Sequence, residues 1–184
     1  MLPLSEEASG LARIHLADSL PRRWRHVRGV AAKAEKLAWM VGADADVLIA
    51  SAWLHDIGYA PGIADTGFHS LDGGRWLLRQ HFDRRIAALV AHHSCASFEA
   101  EERGLADELA AEFPREESAA ADALWFADMT TGPDGEDLTV GERLAEIRNR
   151  YGPQDLVTRF WKRAEGPLME AVKRTQARLT AQPM

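Results

Sequence analysis

The sequence predicts an all-α, single-domain fold, and three observations support this prediction. Alanine and other strong helix formers are frequent along the whole chain. No segment shows the sustained alternation of apolar and polar residues that is typical of half-buried strands. Proline and glycine divide the 184 residues into pieces of helix length. A chain of this length buries a core without disulfides, so we expect helices packed around one core.

Helix-terminating residues define the predicted helices of the N-terminal half. Pro21 suits the first turn of a helix, because the N–H that it lacks would have no partner there. Gly42 and Gly58 are typical C-terminal ends. The predicted helices cover residues 5–20, 21–42, 44 or 46 to 58, 70–80 and 83–93.

The C-terminal half is divided in the same way. Pro114 ends the helix before it, and the turn-forming residues Thr131–Gly135 predict a loop. Thr139 and Glu142 have the spacing of a capping box, so a helix is expected to begin there. The predicted helices cover residues 98–113, 117–130, 139–151 and 153–179, the last either continuous or broken at Gly166-Pro167.

The composition argues against several classes of protein. The formal net charge of −6 and the pI of about 5.6 argue against a nucleic acid polymer as partner. The longest apolar run, Ile86–Ala91, is far shorter than the ~18 residues of a membrane span. Glu6 and Glu7 stand where a secretory signal has basic and then apolar residues. A single cysteine, Cys95, excludes an intrachain disulfide. We therefore expect a cytoplasmic protein with no membrane partner.

Several histidines and aspartates fall on helix faces that are otherwise apolar. His26 precedes apolar residues at helical spacing, and His93 and Asp128 each follow them. Burial of such a group without a partner costs about 1–3 kcal/mol. One such histidine is more often a hydrogen-bonded core residue, and the dipeptide His55-Asp56 alone is a weak motif. Several elements that each offer an inward His or Asp favour a shared metal site.

The order of these residues resembles that of the HD superfamily of metal-dependent phosphohydrolases, an all-helical fold named for its His-Asp pair. His26 precedes His55-Asp56, and Asp128 ends a later helix, where the family places its final Asp. The segment Ala52–Gly58 is similar to the family's apolar helix and His-Asp-Ile-Gly turn. The resemblance covers about His26 to Tyr151. We expect an N-terminal helix over 1–20, an HD metal-binding domain over 21–152, and a C-terminal helix over 153–184 that packs on or extends this domain.

The resemblance also implies two divalent metal ions, since His69 and the pair His92-His93 match the pattern of two-metal members. The metal ligands that it implies are His26, His55, Asp56, His69, His92, His93 and Asp128. Asp56 would bridge the ions, and His92 is preferred over His93 by family spacing, although one or both could bind. Imidazole and carboxylate ligands suit iron or manganese, with zinc, magnesium or nickel as other options.

The activity that the resemblance implies is hydrolysis of a small phosphorylated metabolite or nucleotide, with a metal-activated water as nucleophile. Asp56 would be the catalytic residue that positions this water. The ligand set also fits a mixed-valent di-iron oxygenase of the same fold, and a sensory module with a structural metal site is a third reading.

Three residues are candidates for substrate binding. Arg25 belongs to an arginine-rich segment around His26, and Arg143 follows Asp128 on a later helix, where related proteins carry basic residues. Tyr59 stands where HD-GYP phosphodiesterases have a phosphate-contacting lysine, and their Gly-Tyr-Pro signature is absent. These departures argue against a cyclic-dinucleotide phosphodiesterase.

Overall fold

The computed structural model describes residues 3–181 and confirms the all-α prediction for that range, which contains no β-strand. The helices are α1 (Leu4–Leu16), α2 (Pro21–Leu37), α3 (Ala45–Leu54), α4 (His69–Arg79), α5 (Arg84–Ala91), α6 (Ala96–Arg103), α7 (Ala106–Glu112), α8 (Ala119–Met129), α9 (Val140–Arg150) and α10 (Leu156–Thr180). Short 3₁₀-helices cover Ala38–Asp44, Ile57–Tyr59 and His93–Cys95.

Three predicted helix boundaries are wrong. The helix expected over 98–113 is two helices, because Gly104 adopts φ +70° and ends α6. The helix expected to reach Gly42 is α-helical only to Leu37, and Gly42 itself bends the chain with φ 56°. The helix expected to end at Gly58 ends at Leu54, before the His-Asp pair.

Two other expectations have different outcomes. The helix α10 runs without interruption through Pro167, so the continuous alternative is the one observed. The loop expected over 131–135 is present, and the bridge between Thr131 and Asp137 closes it. The expected domain boundaries at residues 21 and 152 stay a prediction. The flanking helices α1 and α10 both pack directly on the central helices, so the structure shows no separation there.

The helix α3 forms the centre of the fold. Its residues are apolar on all sides, as expected for a helix that packs against α1, α2, α5 and α8 at once. The stretch Pro21–Tyr59 has a mean hydropathy of 1.4 over 18 residues, enough by composition for a membrane span. In the structure this stretch is α2 and α3, which are joined at the Gly42 bend and pack against each other. Many of its apolar residues, among them Val30, Leu48 and Leu54, belong to the core, whereas Trp39 is exposed.

The structure places the ends of several helices around the end of α3. The pair His55-Asp56 follows α3 directly, and the 3₁₀-helix after it packs on α4. A Cβ atom at Gly58 would lie 1.9 Å from the carbonyl oxygen of His69, so only glycine permits this close approach. The approach brings the start of α4 next to Asp56.

Candidate metal centre

Three buried side chains from separate helices form the first half of a His/Asp cluster. His26 comes from α2, His55 from the end of α3, and Asp128 from α8. The Nε2 atom of His26 lies 3.0 Å from Oδ1 of Asp128 and 3.4 Å from Nε2 of His55. We call these three residues the inner half of the cluster.

His69 and His93 form the second half, which we call the outer half. His69 begins α4 and His93 follows α5, and their Nε2 atoms are 3.2 Å apart. Ser94 and Cys95 follow with φ values of 46° and 62°, which are rare for residues other than glycine. This left-handed turn lies between His93 and the start of α6 and changes the direction of the chain there.

Asp56 lies between the two halves and offers one carboxylate oxygen to each. Its Oδ2 atom is 3.4 Å from Nε2 of His55 and 3.8 Å from Nε2 of His26. Its Oδ1 atom is 3.4 Å from Nε2 of His69 and 3.8 Å from Nε2 of His93. This is the arrangement of a carboxylate that can bridge two ions.

Backbone carbonyls orient three of the histidines. The Nδ1 atoms of His26, His55 and His93 lie 2.9, 2.7 and 2.6 Å from the carbonyl oxygens of Gly132, Ala52 and Val90. A carbonyl oxygen only accepts, so each Nδ1 carries a proton and donates it. In a neutral ring the lone pair is then on Nε2, which faces the other cluster residues.

The converging Nε2 atoms fit a metal site. They lie 3.2 Å apart in His69 and His93 and 3.4 Å apart in His26 and His55, so one cation between the two rings of a pair would be bound by both. Ligands about 2.1 Å from one ion lie roughly 3–3.5 Å apart, which is the spacing found here. The ligand atoms of His26, His55 and Asp128 all lie within 4.8 Å of one another, as do those of His55, Asp56 and His93.

The electrostatics of the cluster favour added positive charge. Burial opposes ionisation of Asp56, but Arg23 and His55 outweigh it and hold the pKa of Asp56 well below its usual range. Burial likewise opposes ionisation of Asp128, and the hydrogen bond from His26 helps to keep its pKa low. Burial also opposes protonation of His55, yet Asp56 and Asp128 raise its pKa to about 9. The two carboxylates thus stabilise a proton on His55, and a metal ion bound to His55 would have to displace this proton.

The outer half responds differently to burial. Burial lowers the pKa of His69 well below its usual range, and burial together with His55 lowers that of His93. Both rings are therefore neutral and ready to bind a cation at neutral pH.

His92 lies outside the cluster, which corrects the preference for His92 over His93. Its Nε2 atom donates to the carbonyl oxygen of Phe113 at 2.9 Å, and its own carbonyl accepts from Trp125. Because α5 ends at Ala91, the two adjacent histidines point in different directions, and only His93 reaches Asp56.

Arg23 is the cluster residue that the sequence prediction missed. Its Nη1 atom donates to Oδ2 of Asp56 at 2.7 Å, and its guanidinium carbon lies 4.0 Å from the ring centre of Tyr59. The predicted Arg25 instead pairs with Asp134 at the surface. A helical spacing of three residues places Arg23 on the face of His26, whereas Arg25, directly before His26, lies on another face. This spacing could have identified Arg23 from the sequence.

The other two predicted substrate residues line a cavity of about 380 Å³ that opens beside the cluster, which we call the metal cavity. Tyr59 stacks on the ring of His69 with centroids 4.0 Å apart. Arg143 is buried and contacts Glu146. Asp56, His69 and His93 line the same cavity, so a bound molecule would contact both the outer half and these two side chains.

The loop of residues 130–137 holds the inner half in place. Nζ of Lys33 on α2 donates to the hydroxyl of Thr130 at 2.8 Å and to Asp137 at 2.5 Å. Gly29 on α2 lets the loop approach, because a Cβ atom there would lie 2.8 Å from Thr131. The same loop supplies the Gly132 carbonyl that orients His26. The sequence predicted this loop but not its role.

Comparison with known proteins gives one match. The sequence model of one protein family, described as HD domain, matches residues 23–147, which span α2 to α9 and contain the whole cluster. No curated protein and no solved structure matches the chain.

Proposed function

We propose, because the chain belongs to the HD domain family, that it is a metal-dependent phosphohydrolase acting on a small phosphorylated metabolite or nucleotide. The observation that carries the proposal is Asp56, with one oxygen toward each half of a cluster whose histidine Nε2 atoms converge. The metal cavity gives a small molecule direct access to the outer half. In this proposal the protein works in the cytoplasm and has neither a nucleic acid polymer nor a membrane as partner.

The cluster is proposed to hold two divalent ions, iron or manganese, with zinc, magnesium or nickel as alternatives. The inner half and Oδ2 of Asp56 would bind one, and the outer half with Oδ1 of Asp56 the other. When bound, such ions supply Lewis acidity, which neutralises phosphate oxygens and lowers the pKa of water.

The chain's own residues then have distinct tasks. Asp56 is proposed to position the attacking water. Arg23 uses only Nη1 on Asp56, so its remaining N–H groups are free to donate to a phosphate oxygen. Tyr59 stacks on His69 and keeps both Arg23 and the imidazole in fixed positions at the cavity wall.

The test is an anaerobic assay of phosphate release from a panel of phosphate esters with added Mn²⁺, together with metal analysis. We expect release from at least one ester, loss of release with a chelator, and close to two metal ions per chain. Asp56→Asn removes the bridging charge at constant size and should abolish release. Asp107→Asn, an exposed aspartate on α7, is the matched control and should not change it.

Two other results would contradict the proposal. Oxygen uptake with an organic substrate, without phosphate release under any metal, would instead support the di-iron oxygenase that shares this ligand set. Stoichiometric metal without turnover in either assay would support a sensory module with a structural metal site.

A further inference from the structure

A second cavity of about 310 Å³ adjoins the metal cavity, and we call it the arginine cavity. Arg23, Arg143 and Arg150 line both cavities, and Arg22 lines the arginine cavity alone. None of the described residues that line the arginine cavity carries a carboxylate, whereas Asp56 and Asp128 line the metal cavity. The two neighbouring cavities therefore differ sharply in charge.

The arginines around this cavity outnumber their carboxylate partners. Arg143 and Arg150 share one carboxylate, that of Glu146. Arg22 likewise shares Asp134 with Arg25. The arginine cavity thus keeps positive charge that its carboxylate partners do not fully compensate, although the chain has a net charge of −6, and this indicates an anionic ligand.

Arg143 has an unpaired buried donor beside the cavity. The residue is only 6% exposed, and its buried Nε atom has no hydrogen-bond partner among the described residues. Its contact with Glu146 uses Nη1, on the other side of the guanidinium. The Nε–Nη2 edges of Arg75 and Arg174 in this chain each bind a carboxylate. The corresponding edge of Arg143 has no such partner, and a buried donor of this kind favours a ligand acceptor.

We infer that the arginine cavity binds a second phosphate group of the substrate, while the first phosphate lies at the His/Asp cluster; this inference rests on the proposed function. A phosphate offers several oxygens and about two charges, so it can accept from more than one guanidinium at once. A carboxylate offers only two oxygens and one charge, so it matches this group of arginines less well than a phosphate does. Because three arginines line both cavities, one molecule with two phosphates contacts them from both sides.

The test compares ligand pairs that differ only in a second phosphate: fructose 6-phosphate with fructose 1,6-bisphosphate, and adenosine 5′-monophosphate with adenosine 3′,5′-bisphosphate. Dissociation constants are obtained from the ligand-induced shift in unfolding temperature of the protein as purified, so the readout does not depend on turnover. We expect at least one bisphosphate to bind about tenfold or more tightly than its partner. Equal affinity within both pairs would overturn the inference.

Three variants locate the effect. Arg143→Gln should reduce the affinity for the bisphosphate much more than that for the monophosphate, so that the two affinities become nearly equal. Glu146→Gln frees both arginines and should increase bisphosphate affinity, a gain that misfolding cannot mimic. Arg148→Gln on the same helix is the control, because Arg148 pairs with Glu165 and lines neither cavity. A bisphosphate preference that survives Arg143→Gln would contradict the assignment.

Two further outcomes separate the possible sources of the phosphate and the two proposals. If a monophosphate plus free inorganic phosphate reproduces the shift of the bisphosphate, the cavity binds the free ion, and the inference of a second substrate phosphate fails. If no ligand releases phosphate but the bisphosphate preference and its loss in Arg143→Gln persist, the hydrolase proposal fails and the anion site is supported.

Discussion

The inner and outer halves of the cluster use the same residue types in very different surroundings. The side chains of His26 and His55 are 2% and 0% exposed and do not line the metal cavity, although Asp128 of the inner half does line it and His26 lines the arginine cavity. His69 and His93 both line it, and the side chain of His69 is 12% exposed. A closed ligand set holds an ion firmly, whereas an open one leaves a coordination position for substrate. Under the proposed function, we therefore expect the inner half to hold its ion more firmly and the substrate to bind at the outer half.

The most severe disruption of this division is Asp56→Ala, because Asp56 is the residue that both halves share. We expect the metal content to fall from about two ions per chain to almost none, and phosphate release to fall by roughly 10³-fold. Elemental analysis and the phosphate assay on the same preparation measure both. Retention of one full equivalent of metal would show that one half binds its ion without Asp56.

The next prediction separates the halves with three histidine variants. His69→Ala and His93→Ala should each lose one ion and keep the other, because they leave the inner half intact. His92→Ala is the matched control next to His93 and should keep both ions, although the lost hydrogen bond to Phe113 lowers the free energy of unfolding by about 1–3 kcal/mol. Metal analysis of the folded fraction of each variant measures the number of ions that it keeps. Full metal content in His69→Ala would contradict the two-ion reading.

The sequence predicted some of the cluster residues and missed others. Helical spacing placed His26 and Asp128 on apolar faces, and both proved to lie in the cluster. The preference for His92 came from family spacing, whereas the apolar-face pattern favoured His93, which the structure places beside Asp56. The break at Gly104 was missed for a different reason. A single glycine within a helical pattern is compatible with continuation, and packing decides the outcome.

A pH titration of metal affinity sharpens the comparison. The pKa of His55 is raised to about 9, so an ion in the inner half must displace a proton below that pH. The pKa values of His69 and His93 are lowered, so an ion in the outer half displaces none at neutral pH. Inner-half affinity should therefore rise about tenfold per pH unit between about pH 7 and 9. Competition with a chelator in the His69→Ala variant measures this affinity at each pH. An affinity that does not change with pH would contradict the displacement of a proton from His55.

The smallest predicted effect concerns the loop that supports only the inner half. Gly29→Ala places a Cβ atom 2.8 Å from Thr131 and 3.0 Å from the Gly135 carbonyl, so the loop must shift. We expect inner-half affinity to fall about tenfold, the scale of other changes to groups that orient a ligand. Gly10→Ala in α1 is the control, since nothing lies within 4 Å of the added atom, and it should be neutral or slightly stabilising. Equal effects of the two substitutions would exclude a role for loop packing.

The contact between His26 and Asp128 also has a consequence for biosynthesis. The two residues are 102 positions apart in the chain, and the carbonyl that orients His26 comes still later, at Gly132. At 5–20 residues per second, a ribosome needs roughly 5–20 s to pass from the first of these residues to the last. A growing chain therefore exposes His26 and His55 without the partners that complete their site. Any ion of the inner half would therefore gain its full ligand set only after residues 128–132 have been synthesised.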